Sequence, residues 1–149
     1  LLRIIRELLY FEPSSKKTDI NVPLEYLTNV IKKKCIAFVM SDFISPPFER
    51  VLKLAAKRHD VIGMHIHDPA EAMLPHAGIL RMRDPESGRM MMVDSGDLSV
   101  TAAFSNTYHA NLNQFREQFK RAKCDTMSLS TDQSYIQELH RFFKQRASA

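Results

Sequence analysis

A chain of 149 residues and 17.2 kDa has the size of one compact domain, and it can bury enough surface to fold without disulfide or metal staples. Its 44% hydrophobic and 26% charged residues match ordinary globular proteins, which excludes a disordered tail, a collagen-like repeat and a mucin-like stalk. Lys and Arg exceed Asp and Glu by four, and the short runs Lys16-Lys17 and Lys32-Lys33-Lys34 read as solvated helix edges. Nucleic-acid modules gather such charge along one stripe, so no nucleic-acid partner is expected. Cys35 and Cys124 are too few for a disulfide framework or a zinc knuckle. Each opens an apolar stretch, where a free thiol behaves as a small hydrophobe, and this points to a reducing, cytoplasmic compartment. No segment approaches the roughly 18 apolar residues of a membrane span.

In chain order, Leu1 to Tyr10 predicts an amphipathic helix with Leu1, Ile5 and Leu8 on one face. Neither Met nor an N-cap precedes it, so the chain is expected to be the back part of a longer protein. Phe11 to Asp19 is rich in turn formers and reads as a loop. A second helix is expected from about Asn21, with Pro23 tolerated in its first turn and Leu24, Leu27 and Ile31 at helical spacing. Cys35 to Met40 is a continuous apolar run, the pattern of a strand covered on both faces in a parallel sheet. Ser45-Pro46-Pro47 opens a third helix with Phe48, Val51, Leu52 and Ala55 inward, and Val61 to His67 is the next strand.

Gly78 to Arg83, the turn Asp84 to Gly88, and Arg89 to Val93 predict a β-hairpin. Asp97 caps a long helix carrying Phe104, Tyr108, Leu112, Phe115 and Phe119 at spacings of four, four, three and four. Thr126 to Leu129 is a third strand. Thr131-Asp132 is expected to cap a last helix with Tyr135, Ile136, Leu139 and Phe143 inward. Strands separated by helices favour one parallel sheet. The predicted class is α/β, a doubly wound, mostly parallel sheet with flanking helices and an added hairpin.

In open α/β sheets, ligands gather beyond the carboxyl ends of the strands. Ser41 and Asp42 end the most apolar strand, and Thr18-Asp19 enters the preceding helix from the same edge. A hydroxyl and a carboxylate there suit a hard cation, which prefers a few oxygen ligands and water; a turn-capping Asp42 and an ordinary helix-entry Thr18 compete with that reading.

The segments Phe11-Glu12-Pro13, Thr18-Asp19-Ile20, Ile36 to Phe43 and Arg58 to Ile62, followed by Val93-Asp94 and Leu129 to Asp132, closely resemble the C-terminal half of the "domain of unknown function fifty-eight" family. The resemblance covers nearly the whole chain. It implies that residues 1–149 form the C-terminal part of a single von Willebrand factor A-like domain, incomplete at its N-terminal side. Such domains bind Mg²⁺ or Mn²⁺ through an Asp-x-Ser-x-Ser loop, a Thr from a second loop and an Asp from a third. By the resemblance, Thr18 matches the second element and Asp42 the third, while the first would precede Leu1. Two ligands are too few for tight binding, so Mg²⁺ or Mn²⁺ is expected in the intact protein and no metal in this part. The resemblance also implies a non-catalytic protein-interaction module, partner to a MoxR-type AAA+ ATPase.

Asp97-Leu98-Ser99-Val100-Thr101 has nearly the letters of the missing loop but follows a hairpin, and helix capping explains it better. His65 and His67 alternate on one strand face, yet no further pair is spaced to complete a zinc site. Met82, Met90, Met91 and Met92 are expected to pack on the neighbouring helix, with an adaptable binding surface as the other reading. No Gly-rich phosphate loop, Gly-x-Ser-x-Gly motif or plausible Cys-His pair is evident. The alternative function is a hydrolase-type or phosphate-binding α/β domain using Asp42. Without the strand that would lie beside it, Cys35 to Met40 becomes an apolar sheet edge, which invites pairing with a second copy.

Overall fold

The computed structural model describes residues 2–12, 17–84 and 87–148. Its elements run α1 (Leu2–Tyr10), α2 (Asn21–Val30), β1 (Ile36–Ser41), α3 (Glu49–Ala56), β2 (Asp60–His67), a short 3-10 turn (Pro69–Glu71), β3 (Ile79–Arg83), β4 (Met90–Asp94), α4 (Leu98–Ala122), β5 (Asp125–Ser130) and α5 (Tyr135–Ala147). Leu1, the Pro13 to Lys16 part of the expected loop, and Pro85-Glu86 of the hairpin turn lie outside the described residues.

Strands β1, β2 and β5 form a three-stranded parallel sheet in that order, with β1 at one edge, while β3 and β4 pair separately as an antiparallel hairpin. Because side chains alternate along a strand, β2 serves two layers. Val61 joins the core made with Leu24 of α2, Leu52 and Ala55 of α3, and Phe115, Phe119 and Ala122 of α4. Ile62 and Met64 point the other way and pack with Met127 of β5 against Leu139 and Phe142 of α5. The α/β class, the parallel sheet, the helices on both faces and the hairpin therefore stand as expected.

Gly63 lets α4 reach the sheet. A Cβ there would lie 2.6 Å from Phe119 Cε1 and 2.9 Å from Phe115 Cε2, closer than carbon atoms tolerate. A second tie crosses the same layer, where the Phe48 N–H at the start of α3 donates to Gln118 Oε1 of α4 at 2.9 Å. The first-turn amides of α3 lack helical acceptors, and a buried side chain 70 residues away supplies one.

Three expectations are corrected. The Cys35 to Met40 run is not covered on both faces: Ile36, Phe38 and Met40 are 59%, 41% and 62% exposed, because α5 reaches β1 chiefly through an edge-on contact of Phe143 with Phe38. Helix α1 forms as expected, with none of its residues buried. Thr131 and Asp132 do not cap α5, which begins after Ser134 without a side-chain cap. The Thr131 hydroxyl instead donates to Asp68 at 2.9 Å, and Asp132 accepts from Ser130. Finally, Tyr135 and Ile136 are exposed, Phe143 meets the sheet at Phe38 but stays 45% exposed, and Leu139 and Phe142 carry the packing of α5 on the sheet.

Candidate functional site at the carboxyl rim of the sheet

Beyond the carboxyl end of β1 the chain turns sharply. Phe43 sits in the left-handed region at φ 57°, an uncommon state for a bulky residue. Its ring accounts for this, being buried and stacked on Phe115 at 4.2 Å. Two side chains brace the turn. Ser41 Oγ accepts the Phe43 N–H at 3.0 Å, and Asp42 Oδ1 accepts the Ile44 N–H at 3.1 Å as well as the Ser41 hydroxyl at 3.2 Å. Core packing thus holds the backbone at Asp42 while its carboxylate stays exposed.

The Thr18 loop meets the same rim. Asp19 Oδ1 accepts the Asn21 N–H at 3.0 Å, forming the turn into α2, and the Ile20 N–H donates to Ser45 Oγ at 3.1 Å. The loops carrying Thr18 and Asp42 are therefore neighbours. Among the described residues, no three His, Cys, Asp or Glu side chains are grouped to hold a metal. With one Asp42 oxygen committed to the turn, these residues alone do not complete a hard-cation site.

A cleft of about 570 Å³ opens beside Asp42. One wall is the N-terminal half of α4, with Phe104, Tyr108 and Leu112; the other is the hairpin, with Met82 and Met91. The apolar stripe at helical spacing along α4 thus does two jobs. Phe115 and Phe119 pack on the sheet, while Phe104 and Tyr108 line this opening. Met82 and Met91 are partners across the hairpin, so both thioethers share one face. Met90, Met91 and Met92 remain about half exposed or more, which corrects the expectation of packing on a helix and supports the adaptable-surface reading.

His65 is the residue that sequence reasoning undervalued. It lines the cleft, is only 4% exposed, and its Nδ1 is buried without a hydrogen-bond partner. Burial pushes its pKa down to about 4; His67 and Arg116 add to this and Asp42 opposes it. His65 is therefore neutral at neutral pH. Its ring stacks on His67 at 4.9 Å and on Phe115 at 5.6 Å. The available signal was its place near the carboxyl end of the central strand. Farther along the rim, the Ala70 N–H and then the Thr131 hydroxyl lower the pKa of Asp68.

Asp97 caps α4 as expected, accepting the Ser99 N–H and hydroxyl at 2.7 Å each. One expectation fails at the opposite rim. A Cys-His pair does exist: Cys35 Sγ lies 3.4 Å from His59 Nδ1, brought there by β1–β2 pairing, with the Asp60 N–H donating to the Cys35 carbonyl. His59 is 3% exposed, and its Nε2 has no hydrogen-bond partner. Cys124, lining the same opening, is held protonated by burial, its pKa raised to about 11.

The family model described as "Protein of unknown function DUF58" matches residues 1–114. This chain belongs to that family. Similar curated proteins are Uncharacterized protein Rv1480 of Mycobacterium tuberculosis and Uncharacterized protein Mb1516 of Mycobacterium bovis, each 26% identical over 135 residues. Those matches take in 90% of this chain and 42% of each relative, so this DUF58 chain spans less than half of their length. Uncharacterized protein MAV169 of Mycobacterium avium is 25% identical over 137 residues, 90% of this chain and 79% of that protein. No solved structure matches. Among the described residues, no helix is long and apolar enough to cross a membrane.

Proposed function

We propose that this DUF58 chain is part of a non-catalytic, cytoplasmic protein-interaction module of von Willebrand factor A type, binding its partner at the carboxyl rim of the parallel sheet. The observation that carries the reading is the 3.1 Å bond from the Ile20 N–H to Ser45 Oγ, which joins the loop of Thr18 to the loop that begins at Asp42. Parallel order β1-β2-β5 with helices on both faces supports it further. In the full-length protein, Thr18 and Asp42 would be two oxygen ligands of Mg²⁺ or Mn²⁺, the others coming from residues outside this chain. When bound, such an ion supplies a coordination position for a partner's carboxylate. The rim itself is rigid because Phe43 is anchored in the core, so Asp42 meets a partner already ordered, which lowers the entropic cost of binding.

The partner proposed is a MoxR-type AAA+ ATPase, on the family resemblance alone. Biolayer interferometry between the full-length protein and such an ATPase tests the reading. Asp42→Ala is expected to weaken binding at least tenfold; unchanged affinity would remove Asp42 from the binding surface.

A further inference from the structure

The cleft beside Asp42 is built to take more than an ion. Its volume of about 570 Å³ lies within the range of binding pockets, and its walls are mostly apolar, with Phe104 and Tyr108 facing Met82 and Met91. Aromatic faces and thioethers accept apolar groups of varied shape. The charged residues among the lining are Asp42 and Glu71, with no Lys or Arg, and both are exposed whereas His65 is buried. Negative charge therefore sits at the lip and apolar surface below. Deeper still, His65 carries a ring nitrogen without a partner, and buried polar atoms are normally satisfied.

We infer that this cleft seats a peptide segment of a protein partner in which an Arg or Lys flanks a large apolar side chain. The apolar side chain enters between α4 and the hairpin, and the flanking cation meets Glu71 at the lip, leaving Asp42 to the ion. A free amphipathic amine has related chemistry, but an exposed carboxylate beside a mostly apolar cleft suits a charged and an apolar side chain of one peptide. The inference rests on the interaction-module reading and names the partner's recognition element. It does not require the ion, so failure of one leaves the other testable.

The test uses the full-length protein in EDTA and fluorescein-labelled heptapeptides with Phe-Arg-Leu, Phe-Glu-Leu or Ala-Arg-Ala at their centre. Fluorescence anisotropy is expected to show the Phe-Arg-Leu peptide binding at least fivefold more tightly than either other peptide. Glu71→Gln, a surface change, is expected to remove most of the advantage over the Phe-Glu-Leu peptide. Methyl NMR is expected to show shifts at Met82 and Met91. Equal binding of the Arg and Glu peptides, no binding of any peptide, or binding without Met82 and Met91 shifts would overturn the inference. So would 2-phenylethylamine shifting those methyls where the peptide does not.

Discussion

Gly63→Ala probes the contact that seats α4 on the sheet. The new Cβ would lie 2.6 and 2.7 Å from Phe119 Cε1 and Cζ, and 2.9 Å from Phe115 Cε2, where ordinary carbon contacts need about 3.5–4.0 Å. Both rings would have to retreat by about 1 Å. Neither has room, since Phe115 is stacked on Phe43 at 4.2 Å and Phe119 meets Phe43 and Phe48 edge-on at 5.5 and 6.0 Å. Overpacking of a filled core costs about 1–3 kcal/mol, and the crowding by two rings favours the upper part of that range. With a urea m-value of about 2 kcal/mol/M for a domain of this size, the unfolding midpoint should fall by about 0.5–1.5 M. Because Phe43 anchors the turn that bears Asp42, the variant should also shift the Asp42 amide resonance. A midpoint unchanged from wild type would show that α4 does not pack on Gly63 as described and would refute the reasoning.

Three further outcomes follow from the structure. His65 has a folded pKa of about 4 against about 6.5 unfolded, so its burial as the neutral ring is fully stabilising above the unfolded value. As pH falls through that window, the unfolded state binds the proton first, and stability declines by about 3 kcal/mol before levelling below the folded value; urea unfolding should show a flatter profile for His65→Phe, and identical pH slopes would contradict the assignment. Gln118→Leu leaves the buried Phe48 N–H without an acceptor and should cost about 1–3 kcal/mol, measured by thermal unfolding; a neutral result would mean that α3 finds another cap. The free edge of β1, with Ile36, Phe38 and Met40 exposed beside it, should pair with a second copy; light scattering after size exclusion should show a dimer that a Phe38→Lys change disperses, and a monomer at high concentration would count against that contact.

Much of the fold was legible because the strongest local signals coincide with the tertiary arrangement. The helical spacing of Phe115 and Phe119, the Asp97 cap and the apolar run of β2 each describe an element that the core then uses. The misreadings arise where an apolar pattern does not say what covers it. Ile36, Phe38 and Met40 look like the core of a strand, yet α5 leaves them open. At the rim, Asp42 could be singled out because it ends an apolar strand. Glu71 could not, because the cleft exists only once α4 projects past the sheet and the hairpin folds opposite it, and the same holds for the place of His65 in that cleft. Likewise Cys35 and His59 are 24 residues apart, and only parallel register joins them.

The central claim is that Asp42, held by the Phe43 turn next to the Thr18 loop, belongs to a binding site at the carboxyl rim. Mn²⁺ titration of the full-length protein followed by electron paramagnetic resonance tests it most directly. The account predicts one saturable site that is lost in Asp42→Ala and weakened in Thr18→Val; retention of the same affinity in both variants would contradict it.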